Sequence, residues 1–166
     1  MPLSQSALPS IVPDWDVPFD ALTAFANGQT LTATGYVNAV QAQVDMGGGR
    51  WIGKLNIDIS AMDLSSNDET YRLFLLGSND AAFGNGNVEI LNVQDFAAVT
   101  AGRLVPTIVP ASDAVPTPRK SASRFTLPVT NQRGIYVFRY LQLYAVLGGT
   151  TPSITLAAWL AGDLSA

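Results

Sequence analysis

The sequence predicts an all-β protein: a single-domain β-sandwich, built as a jelly roll or related Greek key, with an extended N-terminal arm. Three observations carry that expectation. From Gln29 onward apolar residues recur at every second position in short runs, the period of half-buried strands. Glycine, proline and asparagine punctuate the intervals, and helical patterning is confined to two short stretches. The 166 residues suffice for one core, and no repeat of fixed period points to a propeller or solenoid.

Residues 1–28 read as the arm and residues 29–166 as the sandwich. Pro2, Pro9, Pro13 and Pro18 fix φ and remove backbone donors, which suits an extended segment. Ile11, Val12, Trp15, Val17, Phe19, Leu22 and Phe25 make that segment too apolar for a solvated tail, so it is expected to pack on its own body or on a neighbour. Within the body, "KLNIDIS" alternates Leu55, Ile57 and Ile59 against Lys54, Asn56, Asp58 and Ser60. "RFTLPV" does the same with Phe125, Leu127 and Val129, and Pro128 assigns that strand to an edge. "IYVFRYLQLYAVL" is apolar on both faces and is placed centrally as one long strand, and "SITLAAWLAG" closes the chain. Further strands are expected near 29–34, 36–44, 70–77, 87–93 and 104–109. Short helices are allowed in "VQDFAAVTAG" and between Phe19 and Phe25.

Composition narrows the function. Charged residues make up 13% of the chain, about half the usual share, so much of the surface is neutral and suited to contact with other chains. Histidine and cysteine are both absent, which removes imidazole bases, thiolate nucleophiles, disulfides and the commonest transition-metal ligands. No run approaches the roughly 18 apolar residues of a membrane span, and the first residues lack the basic start of a signal peptide. A soluble compartment, no membrane and no cofactor are therefore expected.

Four stretches invite a site. In "GSNDAAFGNGN", Asp and Asn oxygens could hold calcium and backbone amides near glycine an anion, but the order of an EF-hand or phosphate loop is missing; a strand connection is expected, with Phe83 tucked beneath it or presented to a partner. "VDMGGGRW" reads as a turn before Trp51. "MDLSSNDETY" places Asp63, Asp68 and Glu69 in one polar loop, which is read as a solvated turn rather than a glycosidase pair. "VPTIVPASDAVPTPRKSASRF" is a proline-stiffened connection ending in Arg119, Lys120 and Arg124. A net charge of −4 and the lack of interleaved aromatics argue against nucleic acid there and for a protein partner. Residues 1–98 carry a balance of −8 and residues 99–166 one of +4, so opposite charges are expected to pair, within one subunit in the first instance.

The apolar arm, "VDMGGGRWIGKLNIDIS", "LFLLGSNDAAFG" and the closing "YVFRYLQLYAVLGGTTPSITLAAWL" together resemble the capsid cement, or decoration, proteins of tailed bacteriophages. The resemblance covers most of residues 29–162 and is one of pattern, without a catalytic motif. It implies a jelly-roll or related β-protein, commonly a homotrimer, that sits on the virion surface over junctions between major capsid protein subunits, after synthesis in the host cytoplasm. It implies no enzyme activity. Trp15, Phe19, Phe25 and Phe83 are then the candidate apolar partner contacts, and Arg119, Lys120 and Arg124 the candidate polar ones. The alternative is a carbohydrate- or receptor-binding module of a phage fibre, in which exposed Trp and Tyr stack on sugar rings.

Overall fold

The computed structural model describes residues 21–38, 43–66, 68–84, 88–97 and 123–162. Among them are eleven strands: β1 (Ala24–Leu31), β2 (Gly35–Tyr36), β3 (Val44–Asp45), β4 (Ile52–Met62), β5 (Thr70–Ser78), β6 (Val88–Ala97), β7 (Ser123–Thr130), β8 (Gln132–Arg133), β9 (Tyr136–Val137), β10 (Tyr140–Gly148) and β11 (Ile154–Gly162). A 3-10 turn at Ala21–Thr23 precedes them.

The strands form two antiparallel sheets and a small hairpin. One sheet runs β1-β11-β4-β7; the other runs β2-β10-β5-β6, with β3 beside β2 on the same edge of β10; β8 and β9 pair with each other. The pairings nest: first strand with last, β2 and β3 with β10, β4 with β7, and β5 with β6. That nesting is a long antiparallel hairpin rolled onto itself, which is the jelly roll. Closure by rolling follows from the alternation of the strands, since every long strand has one apolar face that only a second sheet can cover.

The core lies between the sheets. β4 and β11 contribute Leu55, Ile57, Ile59, Ile154, Leu156, Ala158 and Leu160, while β5 and β10 contribute Tyr71, Leu73, Leu75, Leu141, Leu143 and Ala145. Phe96 from β6 meets Phe125 from β7 edge to face, with ring centroids 4.8 Å apart, and so joins the sheets where their edge strands meet. β7 is an edge strand, as Pro128 requires.

Several expectations are corrected. Pairing begins at Ala24 rather than Gln29: Ala24 to Asn27 belong to β1 and pair with β11, because Phe25 and Ala26 supply core side chains. The arm therefore gives up its last residues to the sandwich, and residues 1–20 lie outside the described residues. Residues 93–97, allowed as helix, extend β6, since Phe96 and Asp95 find their partners on β5. The strand expected at 36–44 is two two-residue strands, both on β10. The long strand expected over 135–147 is broken at Phe138 and Arg139. Asn131 accounts for the break: its carbonyl accepts the Phe138 N–H at 2.8 Å, while Asn79 grips Val137 O and Arg139 N on the other side. The strand expected at 104–109 lies outside the described residues.

Candidate interaction surface

Of the candidate contacts, Trp15, Phe19, Arg119 and Lys120 lie outside the described residues. Phe25 is a core residue at 1% exposure, so it does not serve as an outward anchor; the sandwich itself claims it. Phe83 is buried as well, with φ at 51°, tucked beneath a turn in which Asp80 O accepts its N–H at 3.0 Å. Arg124 stands on β7, exposed, with both guanidinium arms on Asp58 at 2.6 and 2.7 Å and its plane 5.2 Å from the Trp159 ring. It stands over Trp159 on the outer face of the first sheet.

Among the described residues, three ion pairs join the two charge halves inside one chain. Asp58–Arg124, Glu89–Arg133 and Asp45–Arg139 each join an acid from before residue 98 to a base from after it. The Arg139 guanidinium, helped by the Gly47 amide, holds the Asp45 carboxyl down at about 2. Each of these acids is thereby neutralised locally by its base.

The acidic loop is a fastening rather than a solvated turn. Asp68 accepts the Thr150 N–H and hydroxyl, both at 3.0 Å, which lowers its pKa, and Ser65 does the same for Asp63. Glu69 is fully buried, with Oε1 accepting the Ser66 N–H at 2.8 Å. Beneath them the Tyr71 hydroxyl donates to Asp63 O at 2.7 Å and accepts from Ser153 N at 3.1 Å; burial pushes its pKa up to about 12. Among the described residues no group of three or more acids could share a metal ion.

The surface the sequence did not single out is the outer face of the second sheet. Strand register lines its outward side chains into rows. Tyr36, Tyr144, Phe74 and Val93 form one across all four strands. Gln142, Leu76 and Ile90 form the next, and Val146, Arg72 and Asp95 a third. Side chains directly opposite in register touch, so the rows make a sheet face rich in aromatic and aliphatic surface. Tyr36 and Tyr144 meet edge to face at 5.1 Å between centroids. Two ion pairs border the patch: Arg72–Asp95 at one end and Arg139–Asp45 at the other. Apolar centre and paired polar rim is the anatomy of a protein contact surface.

No family model, curated protein or solved structure matches this chain.

At the β6 end of the rows the surface continues onto the β8–β9 hairpin. The side chain of Arg133 donates to Ile90 O at 2.8 Å and to Glu89, clamping β8 beside β6. Between them lies an open groove of about 570 Å³, lined by Ile90, Leu91, Asn92, Val93, Gln132 and Arg133. The edge of β6 is not free to accept another strand here. Arg133 occupies the Ile90 carbonyl, Asn92 Oδ1 accepts the Val93 N–H at 2.7 Å, and a bulge at Leu91 breaks the register. A sequence signal for the aromatic rows did exist, in the two apolar faces of the β10 segment; for the hairpin it was the Gly134–Ile135 dipeptide, which only the turn explains.

Proposed function

We propose that the chain is a structural virion protein that binds the outside of a phage capsid and stabilises junctions between major capsid protein subunits. The observation that carries the reading is the outer face of the β2-β10-β5-β6 sheet, an aromatic and aliphatic surface with a locally neutralised rim. Such a face favours broad contact with protein and offers little to a polyanion or an anionic lipid. The jelly roll supports it as a fold that viral shells use, which is support by analogy. The three acids of the 63–69 loop are committed to turn contacts, leaving the groove without a carboxylate pair for glycoside hydrolysis. In the assembly the protein is a homotrimer, and many copies acting together turn modest single contacts into lasting ones.

Co-sedimentation with undecorated phage heads tests the reading. Wild-type protein pellets with the heads, whereas Phe74→Asp and Val146→Asp, with unchanged circular dichroism, remain in the supernatant. Failure of the wild type to pellet overturns it. The pair Trp15→Ala and Phe19→Ala reads the arm separately, with reduced binding expected.

A second reading rests on the Tyr36, Tyr144, Phe74 row, since aromatic rings in line on an open sheet also suit saccharide stacking. A glycan array decides between them: hits abolished by Tyr144→Ala would favour the fibre-module alternative.

A further inference from the structure

Asn27 precedes Gly28 on β1, and the strand leaves the pair open to solvent. β1 is the edge of the first sheet, joined among the described residues to β11 alone. The register with β11 runs from Asn27 opposite Ala157 to Gln29 opposite Leu156, so Gly28 is the extra residue of a β-bulge. Its φ of 81° is left-handed, which glycine adopts at no steric cost. A Cβ built there would meet nothing within 4 Å, so nothing crowds the Asn27–Gly28 peptide from that side. Both residues are exposed. The Asn27 backbone N–H donates to Gln29 Oε1, while its side-chain amide has no hydrogen bond among the described residues.

Other asparagines of the sandwich are held back. Asn56 and Asn131 are fully buried, and the Asn131 amide is bonded at both ends. Asn79 accepts the Arg139 N–H and donates to Val137 O, which fixes its amide against the hairpin. Asn92 donates to Pro128 O at 3.1 Å and precedes Val93, whose branched Cβ shields the peptide nitrogen. A side chain follows each of these four; none follows Asn27.

We propose that the Asn27–Gly28 peptide is a site of spontaneous amide-to-acid conversion in the folded protein, the chemistry that makes asparagine a labile residue. The Gly28 backbone nitrogen gives its proton to solvent base and attacks Asn27 Cγ. The bond from Cγ to Nδ2 breaks, and the amide group leaves as ammonia after taking a proton from water, which closes a five-membered succinimide. Water then opens the ring at one of its two carbonyls. Breaking the bond from Cγ to the Gly28 nitrogen yields aspartate; breaking the bond from the main-chain carbonyl carbon yields isoaspartate. No electrons are transferred, and water is the only co-reactant. The bulge suits the step because the register passes over Gly28, so no residue of β11 stands opposite the attacking nitrogen. Either product adds a carboxylate to a chain whose net charge is already −4. Isoaspartate also lengthens the backbone by one atom, between the core anchor Phe25 and the Thr30–Thr155 hydroxyl contact at 2.8 Å. The site does not depend on the capsid reading, because its chemistry requires no partner.

Ageing the purified full chain at mildly alkaline pH, followed by peptide mapping in the mass spectrometer, tests it. Electron-transfer fragmentation tells aspartate from isoaspartate, and the same ageing in urea gives the rate of the unfolded chain. In the folded protein, acid is expected to accumulate at position 27 at a rate of the same order as in urea, with isoaspartate in excess of aspartate. Asn56, Asn79, Asn92 and Asn131 are expected to remain amides. The Asn85–Gly86 dipeptide lies outside the described residues and is read on its own peptide. Asn27→Gln, which would have to close a six-membered ring, is expected to stay an amide over the same period. A position 27 that converts in urea and stays an amide in the folded chain overturns the proposal, since the bulge would then protect the pair. Aspartate without isoaspartate, or a glutamine that converts as fast, also overturns it, because the succinimide route gives both products and is slow for the longer side chain.

Discussion

Gln142 lies directly opposite Leu76 on the outer face of the second sheet, 2% exposed, with neither end of its amide bonded. A buried amide without partners costs about 1–3 kcal/mol for each unmet group, and a polar side chain there adds nothing to the rows of apolar neighbours. Gln142→Met keeps the volume and removes both orphans. The expected outcome is a gain of about 1 kcal/mol or more, seen as a melting temperature higher by roughly 2–4 °C. A lower melting temperature would mean that an ordered water or another group satisfies the amide.

Asn131 is the opposite case, a fully buried amide with every role filled. Oδ1 accepts the Trp51 N–H at 2.7 Å, and Nδ2 donates to Gly49 O and Phe138 O, both at 2.9 Å. It binds the start of β4, the glycine turn and the return of the hairpin to one point. Asn131→Ala orphans three backbone groups at once, and an equilibrium urea titration is expected to show a loss of about 2 kcal/mol or more.

The turn between β10 and β11 depends on Gly149. Its φ is 97°, and a Cβ there would stand 2.7 Å from Asp68 O and the Glu69 Cα. Gly149→Ala is strained in conformation and in space, so a destabilisation of about 2 kcal/mol or more is expected in thermal melts. Gly134→Ala supplies a comparison: its φ is also left-handed, but a Cβ there meets nothing, so it should cost less.

Stability should fall at both ends of the pH range. Asp45 is lowered to about 2 by Arg139, and Asp63 and Asp68 are lowered from the ordinary 3.8 by Ser65 and Thr150. A carboxylate whose folded pKa is depressed stabilises the fold above its unfolded value, and that contribution disappears as pH drops from about 4 toward 2. These acids are exposed, so the acid limb should shrink in high salt, and Asp45→Asn should flatten it. Tyr71 acts with the other sign. Its folded pKa, pushed up to about 12 from 10.0, keeps it neutral where the unfolded chain ionises, so stability is intact below pH 10 and declines from there toward 12. Melts of wild type and Tyr71→Phe across that window give the check: the variant should lose the alkaline limb.

Local pattern was enough to determine the all-β class, the placement of β4, β7 and β11, the edge position of β7 and the pairing of opposite charges within one subunit among the described residues. Each of these rests on period-two alternation, on proline's missing donor or on net charge, which are properties a residue carries with it. Tertiary structure decided the rest. Phe25 and Phe83 look alike in the sequence to exposed anchors, yet the first is claimed by the inter-sheet core and the second by its own loop. Glu69 sits in a polar stretch and is nonetheless buried. The row Tyr36–Tyr144–Phe74–Val93 draws one residue from each of four strands, and the groove joins β6 to a hairpin some 40 residues later in the chain. Alternation says which residues share a face of one strand. Which strands lie side by side, and in what register, depends on long-range closure of the roll, and so the interaction surface exists only once the chain has folded.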